Sequence, residues 1–197
     1  MPDKIADRRR GPDESCPASA SPGHGQASLA RLARTAALLA LSLALLVLEN
    51  RFFPLAMVLP LPGAKLGLAN LATLIALELD GLGAAVTVSI LRVTLAGILG
   101  GTLGAFWFSL GGALLSLAGM ALGRRLPGIS LVGVSMIGAV CHNAGQLVVL
   151  RFLMPGAGVA VFLPWLILLA VPAGLLTGIM ARRIAARLRP DKHGGGY

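Results

Sequence analysis

An all-α membrane protein, a compact bundle of six transmembrane helices, is the fold class this sequence predicts, and three observations predict it. The 197 residues are 56% hydrophobic and only 13% charged; a soluble domain of this size carries about twice that charged share. Apolar stretches of about 17 residues or more recur, long enough to cross a hydrocarbon core of about 30 Å. No alternation of apolar and polar residues competes, and Leu, Ala and Gly dominate. A spanning segment must satisfy its own backbone hydrogen bonds, so this pattern favours a helix bundle over a barrel.

The segments follow in order. Residues 1–30, rich in Pro, Gly, Ser, Asp and Arg, read as a disordered cytoplasmic leader. Arg8-Arg9-Arg10 is not a twin-arginine export signal, because no apolar run follows it closely. The stretch from Leu48 to Phe52 is not a small-residue cleavage site, which argues against a cleaved signal peptide. Residues 31–184 form the membrane domain and 185–197 a cytoplasmic tail. Within the domain the expected helices cover residues 32–48, 66–79, 83–99, 105–122, 131–153 and 159–181. The second is short enough to be only partly embedded. Gly100, Gly101 and Gly104 mark the turn before the fourth, and Pro164 and Pro172 should bend the sixth.

The basic residues set the orientation. Arg31, Arg34, Arg124, Arg125, Arg182, Arg183, Arg187 and Arg189 fall on one side of the six-helix arrangement, against Arg51, Lys65 and Arg151 on the other. Positive residues stay inside, so both termini should face the cytoplasm of a multi-pass protein in a bacterial-type plasma (inner) membrane. The same clustering accounts for the net charge of +9 without nucleic acid, and the one Tyr and two Trp provide no stacking surface. Cys16 lies in the leader and Cys141 in an apolar helix, with no metal-ligand spacing between them. No metal or cofactor is expected.

Polar residues inside the apolar segments carry the functional signal. Arg92 sits in the middle of the third segment, where a charge costs at least ~2.5 kcal/mol, so it should face the bundle interior. Ala85, Ser89, Arg92 and Ala96 share its helical face. Either an ion pair with Glu49 or Glu78 or an anionic ligand group would account for it. The fifth segment carries His142, Asn143 and Gln146 within two turns. At 1.5 Å per residue, Arg92 and His142 both lie roughly 14–17 Å from their cytoplasmic helix ends. Lys65 enters the second segment from outside, with Asn70 about one turn deeper. Glu49, Lys65, Asn70, Arg92, His142, Asn143 and Gln146 are therefore the candidate substrate-binding residues of one outward-open pocket, leaning towards an anionic or phosphorylated solute. Ala36, Ala40 and Ala44 form a small-residue ridge on the first segment, suited to close helix packing.

The stretch Pro62-Gly63-Ala64-Lys65-Leu66-Gly67-Leu68-Ala69-Asn70 resembles the signature of the Gx transporter family, also catalogued as heptaprenyl diphosphate synthase component I. Further matches are Leu91-Arg92, Phe108-Ser109-Leu110-Gly111-Gly112, Gly133-Val134-Ser135 and the run from Gly138 to Gln146. That family is similar to the S components of energy-coupling-factor transporters. The resemblance implies a membrane-embedded subunit that captures a small, vitamin-like solute, and a partner set of a transmembrane coupling protein and ATPase subunits. It also implies that the Ala36-Ala40-Ala44 ridge docks the coupling protein.

The chain has no GxxxxGK[ST] phosphate loop, so ATP hydrolysis must come from partners. It also lacks the aspartate-rich clusters with which prenyl diphosphate synthases hold magnesium and diphosphate. By itself it is not expected to be an enzyme. Two readings stand: a solute-binding subunit of an importer, and a non-catalytic membrane accessory subunit of heptaprenyl diphosphate synthase in isoprenoid biosynthesis.

Overall fold

The computed structural model describes residues 24–52, 67–100, 103–153, 155 and 159–188. Those residues are helical apart from short turns. Six helices follow one another: α1 (His24–Phe52), α2 (Asn70–Leu79), α3 (Leu82–Gly100), α4 (Leu103–Gly123), α5 (Leu131–Leu153) and α6 (Val159–Leu188). All but α2 are long and apolar enough to cross a membrane. The ten residues of α2 reach only about 15 Å, half the thickness required. The leader up to residue 23, Lys65 and the tail beyond residue 188 lie outside the described residues.

α3 and α4 run past their expected bounds by one or two residues, α2 begins at Asn70 rather than 66 because residues 67–69 form a turn, and α1 and α6 depart furthest. α1 begins at His24 rather than 32, inside the stretch read as leader. Downstream of Pro22 no proline interrupts it, and Ala, Leu, Gln and Arg are good helix formers. α6 continues to Leu188 rather than 181, through Arg182-Arg183-Ile184-Ala185-Ala186-Arg187, and stops just before Pro190. It is a single helix through Pro164 and Pro172.

α2 is the hub. Seven consecutive residues, Leu71 to Leu77, are buried on every side, as befits a helix that is apolar all round. It packs against α1, α3 and α6 and also touches α4 and α5. Its side chains join Leu38, Ala85, Val88, Leu117, Met120, Val134 and Ala181 in one core. The Asp80 and Gly81 N–H groups both bond to the Ala76 carbonyl at 2.9 and 3.0 Å. Gly81, at φ 87°, supplies the left-handed residue that ends α2 and reverses the chain into α3.

Glycines bring α4, α5 and α6 together. A Cβ on Gly145 would collide with the Gly111 carbonyl and lie 3.0 Å from the Gly112 Cα. On the opposite face of α5, a Cβ on Gly174 would lie 2.7 Å from the Met136 Cα, and one on Gly178 would lie 2.8 Å from the Val132 Cα. Backbones in van der Waals contact are the usual solution for helices that cannot rely on the hydrophobic effect to associate. The Ser135 and Thr177 hydroxyls, 2.9 Å apart, tie α5 to α6 at the same level.

Charged groups locate the two ends of the bundle. Arg34 of α1 pairs with Asp80 at 3.0 Å. Arg124, just past α4, pairs with Glu78 at 3.4 Å and donates to the Leu77 carbonyl. The start of α1, the end of α2 and the end of α4 thus share one end. The Gly178–Val132 contact brings the C-terminal half of α6 to the start of α5, which is the same end. The outer surface is apolar, with Ile98, Leu99 and Phe152 at 75, 76 and 80% exposure. The interior holds Ser42, Glu49, Thr73, Ser89, Arg92, Ser116, His142 and Gln146. Polar inside and apolar outside is the polarity of a chain whose solvent is lipid.

Candidate functional site

The site grows from the turn that opens α2. Gly67 has φ 73°, a left-handed conformation that glycine adopts without strain. The turn is closed by Asn70 N–H to the Gly67 carbonyl at 2.9 Å and Leu71 N–H to the Leu68 carbonyl at 3.0 Å. It is fastened to α1 at three points. The Ser42 hydroxyl donates to the Ala69 carbonyl at 3.1 Å. The Gly67 N–H donates to Glu49 Oε1 at 2.9 Å, and the Leu68 N–H to Glu49 Oε2 at 3.1 Å. Glu49 is 1% exposed, and those two N–H bonds are what make a buried carboxylate tolerable there.

This turn forms one wall of a cavity. Glu49, Asn70, Arg92 and His142 all line it, together with Leu46, Gly67, Ala69, Val93, Ala96 and Ser109. Arg92 comes from α3, about 15 Å along from Leu82, and His142 from α5, about 16 Å from Leu131, so both arrive at one level. The inward face of α3 also carries Ala85 and Ser89, at 0 and 2% exposure. Gly112 makes room for His142 and Gln146: a Cβ there would lie 2.8 Å from the His142 Cε1 and 3.0 Å from the Gln146 Cγ. The space a water molecule's centre can sweep is about 30 Å³, enough for one or two waters.

Arg92 is the exceptional group. It is 6% exposed, its Nε has no hydrogen-bond partner, and it joins no ion pair among the described residues. Of the two expected partners, Glu49 acts on Arg92 through its charge without forming a contact ion pair. Glu78 faces Arg124 at the arginine-rich end, and Glu49 shares the cavity with Arg92 while its two oxygens accept from backbone N–H groups. A guanidinium with an unpartnered Nε–H at the wall of a cavity can hold a carboxylate or phosphate oxygen.

The other candidates are placed differently. The Asn143 Nδ2 donates to the Leu166 carbonyl at 2.9 Å, joining α5 to α6. Gln146 is 3% exposed with its Oε1 lacking a partner, and neither it nor Asn143 lines the cavity. Ala36, Ala40 and Ala44 are all exposed on α1. Ser109 and Ala96 line the cavity without having been singled out as site residues. Ser109 had one legible signal, a hydroxyl on the turn before Gly112. A wider depression of about 420 Å³ at the arginine-rich end is bordered by Glu78, Arg124 and Arg125. Its Arg124 is already engaged with Glu78 and the Leu77 carbonyl.

Fold and site together define a multi-pass, all-helical membrane protein with a buried polar cavity at mid-depth. A family model described as heptaprenyl diphosphate synthase component I matches residues 38–184. The chain belongs to that family. A search of curated proteins and a search of solved structures found no match.

Proposed function

We propose that this protein is the membrane-embedded, solute-binding subunit of a small-solute importer, similar to the S components of energy-coupling-factor transporters, and that its solute is anionic. The observation that carries this reading is Arg92, a buried cation whose Nε is unpartnered, at a cavity whose one acidic side chain has both oxygens bonded to backbone N–H groups. A charge at mid-bilayer depth is retained when it has something to bind. In this reading all six legs of the chain cross the membrane. The arginine-rich end, with both termini, faces the cytoplasm of a bacterial-type plasma membrane, and the solute enters from the opposite end past Lys65.

The test is mass spectrometry of small molecules that co-purify with the detergent-solubilised protein. Wild type is expected to carry an anionic solute and Arg92→Ala to lose it. With Arg92→Ala first shown to be folded by its unfolding midpoint, equal solute occupancy in the two proteins would refute the reading.

The exposed Ala36-Ala40-Ala44 ridge supports a partner on α1, because the bundle does not use those positions for its own packing. The partner in this reading is a transmembrane coupling protein with its ATPase subunits. Ala40→Trp is expected to abolish co-purification of those subunits while leaving the thermal unfolding midpoint and the bound solute unchanged. A drop in stability instead would assign the ridge to internal packing.

The family's description favours a second reading, a non-catalytic accessory subunit of heptaprenyl diphosphate synthase in isoprenoid biosynthesis. Prenyltransferase activity of a purified catalytic partner that depends on adding this chain would establish it.

A further inference from the structure

Two anion-binding elements meet in the cavity, and one of them is already filled. The Gly67 and Leu68 N–H groups converge across a turn whose first residue is left-handed, at φ 73°. Successive N–H groups so arranged make an anion-binding concavity. This one stands at the N-terminus of α2, where the helix dipole also favours negative charge. The Glu49 carboxylate occupies it, with both oxygens engaged at 2.9 and 3.1 Å. The second element is Arg92, 6% exposed, lining the same cavity with its Nε unpartnered. An N–H pair and a guanidinium on one cavity are the components of a phosphate site. Here the protein's own carboxylate sits in half of it.

The geometry points to Glu49 as a built-in anion that sets the charge of the ligand: it reserves the Arg92 side of the cavity for a small group with one negative charge, a carboxylate, and excludes phosphate and diphosphate. The inference rests on the reading that the cavity binds an anionic solute, and narrows it. Glu49 offsets the Arg92 charge only from a distance, and no other Lys or Arg lies among the described lining residues. A carboxylate on Arg92 replaces the counter-charge that Glu49 does not deliver in contact. A dianion or trianion would instead face Glu49 across a confined, largely buried space, where like charges repel more strongly than in bulk water.

The experiment uses the full chain in detergent, with sodium acetate, sodium phosphate and sodium diphosphate as probes against sodium chloride of matched ionic strength. Thermal unfolding and calorimetric titration are the readouts. Acetate is expected to raise the unfolding midpoint of wild type above the chloride value and to do nothing for Arg92→Ala. Phosphate and diphosphate are expected to leave wild type at the chloride value. In Glu49→Gln, which keeps a carbonyl acceptor for one N–H but loses the charge, phosphate affinity should rise by about tenfold or more, the worth of one charge-assisted hydrogen bond.

Diphosphate stabilising wild type as much as acetate does, in an Arg92-dependent way, would overturn the inference and leave the solute-binding reading standing. Unchanged phosphate affinity in folded Glu49→Gln would overturn it as well. Absence of any anion effect on both proteins would remove the inference together with the Arg92 site. If Glu49→Gln fails to fold, the wild-type comparison of acetate with diphosphate decides.

Discussion

Gly145→Val is expected to leave no monodisperse protein after extraction from the membrane. A Cβ at this position meets the Gly111 carbonyl and, at 3.0 Å, the Gly112 Cα. Both obstacles are main chain of α4, so no side-chain rotation relieves the clash, and the helices must separate along their whole crossing. Overpacking of a well-fitted interior costs about 1–3 kcal/mol when neighbours can adjust, and here they cannot. Separation would also withdraw Gly112 from His142 and Gln146, and with it the packing that sets the cavity wall. The measurement is fluorescence-detected size exclusion together with the unfolding midpoint. Gly83→Ala is the control, because nothing lies within 4 Å of an added Cβ there; it should match wild type or gain slightly in stability. A monodisperse Gly145→Val with the wild-type midpoint would show that α4 and α5 do not touch as described.

Glu49→Ala is expected to cost about 3–5 kcal/mol, the usual penalty for breaking a buried charged arrangement by deleting one member. Two effects add. The Gly67 and Leu68 N–H groups lose their acceptor, and each stranded donor costs about 1–3 kcal/mol. Arg92 also loses the one carboxylate that shares its cavity. Glu49→Gln should cost markedly less, since its amide oxygen still accepts one N–H bond. The unfolding midpoints of the two variants check the order, and Ala matching Gln would mean that the turn stands without α1.

The long helices were legible because their signal is redundant: in a run such as that of α4, any window of residues is apolar enough to locate the span. α5 was read to the residue, its start set off by Pro127-Gly128. The overlong ends of α1 and α6 were harder, because hydropathy marks where lipid ends rather than where helix ends. Arginine and alanine carry a helix into water without any apolar trace.

In the site, composition found the buried charges but not their partners. Arg92 and Glu49 stood out as costly residues, and a close ion pair between them was one of the two readings. The structure spends Glu49 on backbone N–H groups instead. That arrangement depends on Gly67 turning left-handed, which a residue type permits but does not dictate. Spacing within two turns grouped Gln146 with His142, but only His142 lines the cavity. Asn143 bonds across to α6, a distinction that no spacing rule contains.

The half-length of α2 has a consequence for leakage. A stopper of seven wholly buried residues, Leu71 to Leu77, fills the axis of the bundle between the polar chamber and the arginine-rich end. A passenger continuing from Arg92 towards that end would have to go round these side chains, displace α2, or travel with a subunit that reorients as a body.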